Sequence, residues 1–193
     1  MLVLKNINRK FSERKNYFYL ILFICLPIFF LESCSAKKIA QRTPDDRGFL
    51  IRIGDKAPNF SMEFTDGTKA QLKDFKGKPV MLQFTASWCS VCIKEMPHIE
   101  DEIWQKWKDD GLIVIGVDRD EPLEKAQMLI DKTKVTYPIS LDPGAEIYKK
   151  FAAEKSGVTR NVIIDKNGEV VFLTRLFKID EFEEMKLKIE TLL

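Results

Sequence analysis

The chain has 193 residues, 45% of them hydrophobic, which is enough for one well-buried domain. Its formal charge of +2 originates at the start. Residues 1–33 hold five of the 31 basic and two of the 29 acidic residues, so the remainder carries 26 against 27, a net charge of −1. A nearly neutral body has no electrostatic footprint for nucleic acid, and that class of partner is set aside; Lys73, Lys76 and Lys78 read as a solvated loop face.

The first stretch reads as a targeting segment. After a basic region ending at Lys15, Tyr17–Leu31 ("YFYLILFICLPIFFL") runs for 15 residues without a charge. A helix needs about 20 apolar residues to cross a bilayer, so this run is closer to the apolar region of a signal peptide. "LESC", residues 31–34, follows at once and resembles the lipobox of bacterial lipoproteins, in which the cysteine is lipidated and becomes the new N-terminus. Leu31 and Ser33 fit that pattern and Glu32 departs from it. The resemblance implies a lipoprotein-type signal peptide over 1–33, lipidation at Cys34 and attachment to a membrane by a lipid anchor. The competing reading is an uncleaved signal anchor. Both place the rest of the chain in the cell envelope, periplasm-facing and in an oxidising compartment. Cys25 then lies in the apolar region and Cys34 is blocked by lipid, which leaves Cys89 and Cys92 for the folded domain.

Residues 34–50 are polar, with "RTPDDRG" at 42–48, and read as a tether; the domain is expected over 51–193. "SMEFTDGTKAQL" (61–72) predicts a hairpin about an Asp-Gly turn. "PVMLQF" (79–84) is a buried strand, and Cys92, Met96, Ile99, Ile103 and Trp107 recur at helical spacing. A strand over 111–118, a helix over 121–134 and a strand over 137–141 follow. A helix is predicted over 142–157 with Gly157 near its end, then a hairpin over 161–173 and a last helix striped by Ile179, Phe182, Met185, Ile189 and Leu192. Alternation of this kind, closed by a strand pair, predicts an α/β fold whose mixed central sheet has helices on both faces.

"SWCSVC" (87–92) carries the chemistry. The pair sits where a buried strand gives way to a helix. A cysteine in the first turn meets unpaired backbone N–H groups and the positive end of the helix dipole, which favour thiolate and mark Cys89 as the nucleophile. Cys92 lies one turn deeper on the same face and can close a disulfide that resolves the mixed disulfide formed at Cys89. Structural zinc needs about four ligands, and His98 is the only histidine, so neither zinc nor copper finds a full ligand set and no metal is expected. A structural staple is disfavoured because so short a loop removes little unfolded-state entropy.

"FTASWCSVCIKEMP" (84–97), with "GDKAPNF", "FKGKPVMLQF" and "GVTRNVIIDKNGEVV", resembles the TlpA/ResA-type thiol-disulfide oxidoreductases of the thioredoxin superfamily over about residues 51–193. The resemblance implies a thioredoxin-like fold with an N-terminal hairpin and a helical insertion, no cofactor, and a redox disulfide Cys89–Cys92. The partners it implies are protein disulfides or dithiols, apocytochrome c among them, and a membrane-bound thiol reductant. Thioredoxin has a buried aspartate six residues before its first cysteine; that position is Gln83 here, and the family instead carries a glutamate that matches Glu95. A partly buried Glu95 on the face of Cys92 would exchange a proton with it. Pro97 inside the helix should kink it. Trp88 and Thr159 are the residues implied to line the substrate. Thr159 stands where the family carries a cis proline, and since a cis bond before a non-proline residue costs about 3 kcal/mol, a trans peptide is expected.

Two rival functions share parts of this pattern. A peroxiredoxin-like thiol peroxidase reads Pro-x-x-x-Thr-x-x-Cys, whereas Leu82 and Ala86 occupy those positions before Cys89. A non-catalytic metal-binding protein of the same fold is the other.

Overall fold

The computed structural model describes residues 42–193; the expected signal segment, Cys25 and Cys34 lie outside them. Its centre is the strand Val80–Thr85 (β3), six consecutive buried residues, as a strand covered on both faces requires. It pairs in parallel with β4 (Ile113–Arg119), from Val80↔Ile113 to Thr85↔Asp118, and antiparallel with β6 (Arg160–Ile164). With β1 (Ser61–Phe64), β2 (Lys69–Gln71), β5 (Ile139–Asp142) and β7 (Val170–Arg175) it forms a mixed seven-stranded sheet in the order β2-β1-β5-β4-β3-β6-β7. Both predicted hairpins are present. In the first, Asp66 Oδ1 accepts from the Thr68 N–H and hydroxyl, and Gly67 takes φ +83°.

Three long helices share one face. Helix α1 (Ser90–Ile99) runs on through a π-helical turn at Glu100–Trp104 and a last α-helical turn at Gln105–Trp107. With α2 (Leu123–Thr133) and α4 (Ile179–Glu190), it buries Met96, Ile99, Ile103, Trp107, Leu129, Phe182, Met185 and Ile189 on Met81, Val114, Ile139 and Ile163. Pro97 supplies no N–H to the helix ladder, and the irregularity follows it as the wider turn. That turn swings Glu100 inward, where its carboxylate accepts from the Thr136 N–H (2.7 Å) and hydroxyl (2.7 Å).

The opposite face departs from expectation in two ways. The helix predicted over 142–157 is only a 3-10 turn (Pro143–Ala145) and one helical turn, α3 (Tyr148–Phe151). Gly144 and Ala145 adopt φ +69° and +57°, which no right-handed helix accommodates, and Ala152 is extended. Asp142 then caps the short helix, accepting from the Ile147 and Tyr148 N–H groups. Secondly, residues 42–50, expected as part of the tether, pack onto the domain. Phe49 is fully buried and bridges Ala152, its N–H donates to Asp45 Oδ1, Arg42 pairs with Asp55, and Arg47 with Glu181. The segment from Phe49 to Phe60, with Tyr148 and Phe151, covers Leu82, Phe84, Ile115 and Val117, where long helices were expected.

Candidate active site

Strand β3 is followed by Ala86-Ser87-Trp88, a turn that leads to Cys89, the N-cap of α1. The Cys89 N–H donates to the Ala86 carbonyl (3.1 Å), and Cys89 Sγ accepts from the Cys92 N–H (3.2 Å). A disulfide joins the two cysteines across a Cα–Cα distance of 5.3 Å. Cys89 keeps 8% of its surface exposed and Cys92 none, so a target can reach only the first sulfur.

Thr159, predicted beside the cysteines, touches both. Its hydroxyl lies 3.0 Å from Cys89 Sγ and 3.1 Å from Cys92 Sγ; disulfide sulfurs carry no proton, so the hydroxyl is the donor. No peptide bond among the described residues is cis. The loop makes its turn at Thr159 through φ +66° instead, a conformation costing a β-branched residue on the order of 1–2 kcal/mol. Two backbone bonds hold it: the Thr159 N–H donates to Phe84 O, and Leu176 N–H donates to Thr159 O. In the reduced protein the same hydroxyl is placed to donate to the Cys89 thiolate. Thr159→Val, which removes little but that donor, should slow Cys89 alkylation at pH 7 by about tenfold, since a hydrogen bond to a charge is worth roughly 1.5–3 kcal/mol. The rate-against-pH midpoint should rise accordingly; an unmoved midpoint would show that the hydroxyl leaves the thiolate on reduction.

Glu95 is buried one turn beyond Cys92, and its contacts define a polar network under the helix. Asn161 Nδ2 donates to Glu95 Oε1 (2.7 Å) and to Thr174 Oγ1 (2.8 Å), while Gln83 Nε2 donates to Glu95 Oε2 (3.3 Å). Gln83 accepts in turn from the Tyr137 hydroxyl (2.7 Å). Burial pushes the Glu95 carboxyl up to about 7, against the pull of its two amide donors. His98 stands outside this network, bonded to Glu102 and stacked on Phe177. Among the described residues no group of three or more His, Cys, Asp or Glu side chains is arranged to hold a metal.

Trp88 is 63% exposed and borders a cleft of about 350 Å³ with Arg119, Asp120, Glu154, Lys155, Ser156 and Gly157. Exposed Leu176 bonds the Thr159 loop through its N–H, so a second exposed apolar side chain borders that loop. Sequence reasoning missed Leu176, Asn161 and the carboxylates Asp118 and Glu121. The last two end and follow an apolar parallel strand, the position where α/β sheets collect functional groups, and that was the available signal.

The AhpC/TSA family pattern matches residues 53–173. The thiol-disulfide oxidoreductase ResA of Bacillus thuringiensis subsp. konkukian is 36% identical over 121 residues, spanning 63% of this chain and 68% of the relative. The chain belongs to the ResA-type thiol-disulfide oxidoreductases of the AhpC/TSA family. Solved structures agree. A candidate protein disulfide isomerase from Bacteroides thetaiotaomicron is 52% identical, covering 76% of this chain and 92% of that one at a TM-score of 0.74. The thioredoxin domain of a thiol-disulfide oxidoreductase from Bacteroides vulgatus is 25% identical, covering 72% and 97% at 0.62. This ResA-type protein is thus a thiol-disulfide oxidoreductase with a thioredoxin-like fold, and Cys89–Cys92 is its redox pair. The two positions that a thiol peroxidase would fill with threonine and proline hold Ala86 and Leu82, both fully buried and without a side-chain donor.

Proposed function

We propose that this ResA-type oxidoreductase works outside the cytoplasm, held to a membrane by lipid at Cys34, and exchanges electrons with disulfides of other proteins, apocytochrome c among them. The observation that carries the reading is the disulfide at the α1 N-terminus, reachable only at Cys89, with exposed Trp88 next to it in the chain and exposed Leu176 bonded to the Thr159 loop that faces it. In the reducing direction, the Cys89 thiolate attacks a target disulfide, and one target sulfur leaves as thiolate. Cys92, losing its proton, then attacks Cys89 Sγ, releases the second target sulfur and closes Cys89–Cys92. Two electrons pass to the target, and a membrane-bound dithiol restores the pair. Glu95, one turn from Cys92, supports the proton step as acceptor. Trp88, Leu176 and the Thr159 loop support docking of an extended target chain beside the sulfurs. The charge-free run Tyr17–Leu31 and the "LESC" that follows it support the location.

The location and targets are tested together in cells expressing the full chain. Cys34→Ser should lose a fatty-acid probe and leave the membrane fraction, and Cys92→Ser should be recovered from that fraction linked to envelope proteins carrying haem-attachment cysteines. Equal labelling of Cys34→Ser would leave the signal anchor as the means of attachment. Partners drawn from the cytosol would overturn the location.

A further inference from the structure

Strands β3 and β4 end side by side at the pair Thr85↔Asp118, and the loops that leave them meet again above the sheet. There the Glu121 carboxylate takes both polar hydrogens of Ser87: Oε2 accepts the backbone N–H (2.5 Å) and Oε1 the hydroxyl (2.7 Å). Ser87 directly precedes Trp88 and Cys89, so this double contact fixes the backbone that delivers the nucleophile. Beneath it, Asp118 is fully buried and neither of its carboxyl oxygens meets a hydrogen-bond donor.

A buried carboxylate with no donor is costly, and Asp118 has no cation to offset the cost. The charged groups acting on it are Glu121, from its own loop, and Asp142, from β5, and both are acidic. Arg119 turns to the other face of the sheet, stacks on Tyr148 and donates to the Ser156 and Glu154 carbonyls. Asp120 is occupied by the Gly144 N–H. From α1, Glu95 is engaged by Gln83 and Asn161, and Glu124 and Lys125 of α2 are exposed. Burial first, then Glu121 and Asp142, push the Asp118 carboxyl up to about 7. With a proton, Asp118 has one donor to offer, and the Glu121 carboxylate is the acceptor beside it.

We propose that Asp118 and Glu121 share a proton and act as a clamp on Ser87 that positions Trp88 and Cys89 for disulfide exchange. Asp118 is the positioning residue, Glu121 the arm that touches the loop. When the proton leaves, two like charges face each other in a buried site, Glu121 swings toward solvent and the Ser87 bonds open. The inference rests on the thiol-disulfide reaction but is read at Ser87, so its failure leaves that reaction standing.

Nuclear magnetic resonance of the oxidised protein tests it directly. The Ser87 amide proton, bonded to a carboxylate, should lie far downfield at pH 5.5 and move upfield through a midpoint near neutrality. In Asp118→Asn, an isostere whose amide donates to Glu121 at every pH, the Ser87 signal should stay downfield throughout. Glu95→Gln should leave the Ser87 titration in place, which separates it from the other buried carboxyl. In the reduced protein, Asp118→Ala should lower the rate of exchange with a protein disulfide by roughly tenfold at pH 6, the scale of a misplaced nucleophile, and Asp118→Asn should restore most of the loss. A Ser87 amide that does not titrate, or that titrates equally in Asp118→Asn, overturns the proposal.

Discussion

Cys92→Ser should accumulate mixed disulfides with target proteins, roughly tenfold above Cys89→Ser, when each reduced variant is mixed with oxidised substrate. The asymmetry has three structural sources. Cys89 retains exposed surface where Cys92 has none. Cys89 is the N-cap of a ten-residue helix, with the Cys92 N–H aimed at its sulfur. Thr159 adds a second donor from the facing loop. Together these donors favour a negative charge on Cys89 Sγ, so near neutral pH it is expected to be the better attacking group, while the sulfur that would free the trapped target is the one removed. Non-reducing gels quantify the trap, and alkylation rates for the single variants assign the lower thiol. Equal trapping by both variants would contradict the assignment of roles and leave the pair without a preferred entry point.

Glu95→Gln should flatten much of the pH dependence of stability in the oxidised protein. The Glu95 carboxyl is raised from 4.5 to about 7 in the folded state, because burial disfavours its charge. Between these values the folded protein holds a proton that the unfolded chain has released, so stability falls as pH rises through this window and levels off above 7. The shift corresponds to about 3 kcal/mol. Glutamine keeps the shape and never ionises, so the variant should match the parent near pH 4.5 and exceed it at pH 8 by a few kcal/mol, on the order of the same shift. Asp118 titrates over the same range and leaves a residual slope. Denaturant melts at pH 4.5, 6, 7 and 8 measure the difference; a variant with the parent's slope would remove Glu95 from the account. The gain in stability should come with slower release of the mixed disulfide, because Cys92 loses its proton acceptor.

The strands at the heart of the sheet were readable because a parallel strand buried on both faces is an unbroken apolar run, and "PVMLQF" and "GLIVIGVD" are such runs. The cysteine pair was readable because strand, cysteine and helix follow one another in a short stretch. The polar network was less so: the family resemblance named Glu95 and its helical offset to Cys92 supported it, but its partners Gln83 and Asn161, and Tyr137 bonded to Gln83, come from three other segments. The stretch over 142–157 misled because Ile147, Tyr148 and Phe151 have helical spacing while the backbone at Gly144 and Ala145 turns left-handed and Asp142 takes the N–H groups of Ile147 and Tyr148. Residues 42–50 misled by composition. One phenylalanine, Phe49, outweighs its polar neighbours once it has a socket.

The course of residues 42–60 also sets a path for force. A pull arriving along the chain at Arg42 loads first its pair with Asp55, then the stitches around Phe49: the Leu50 N–H to Phe151 O and the Ala153 N–H to Gly48 O. Those stitches end on the segment that runs through Ser156 and Gly157 into Thr159, whose hydroxyl faces both sulfurs. Part of any traction is therefore delivered to the sulfur-facing loop through these bonds, the rest passing through the Arg47–Glu181 pair into α4 and through Asp55 into β7.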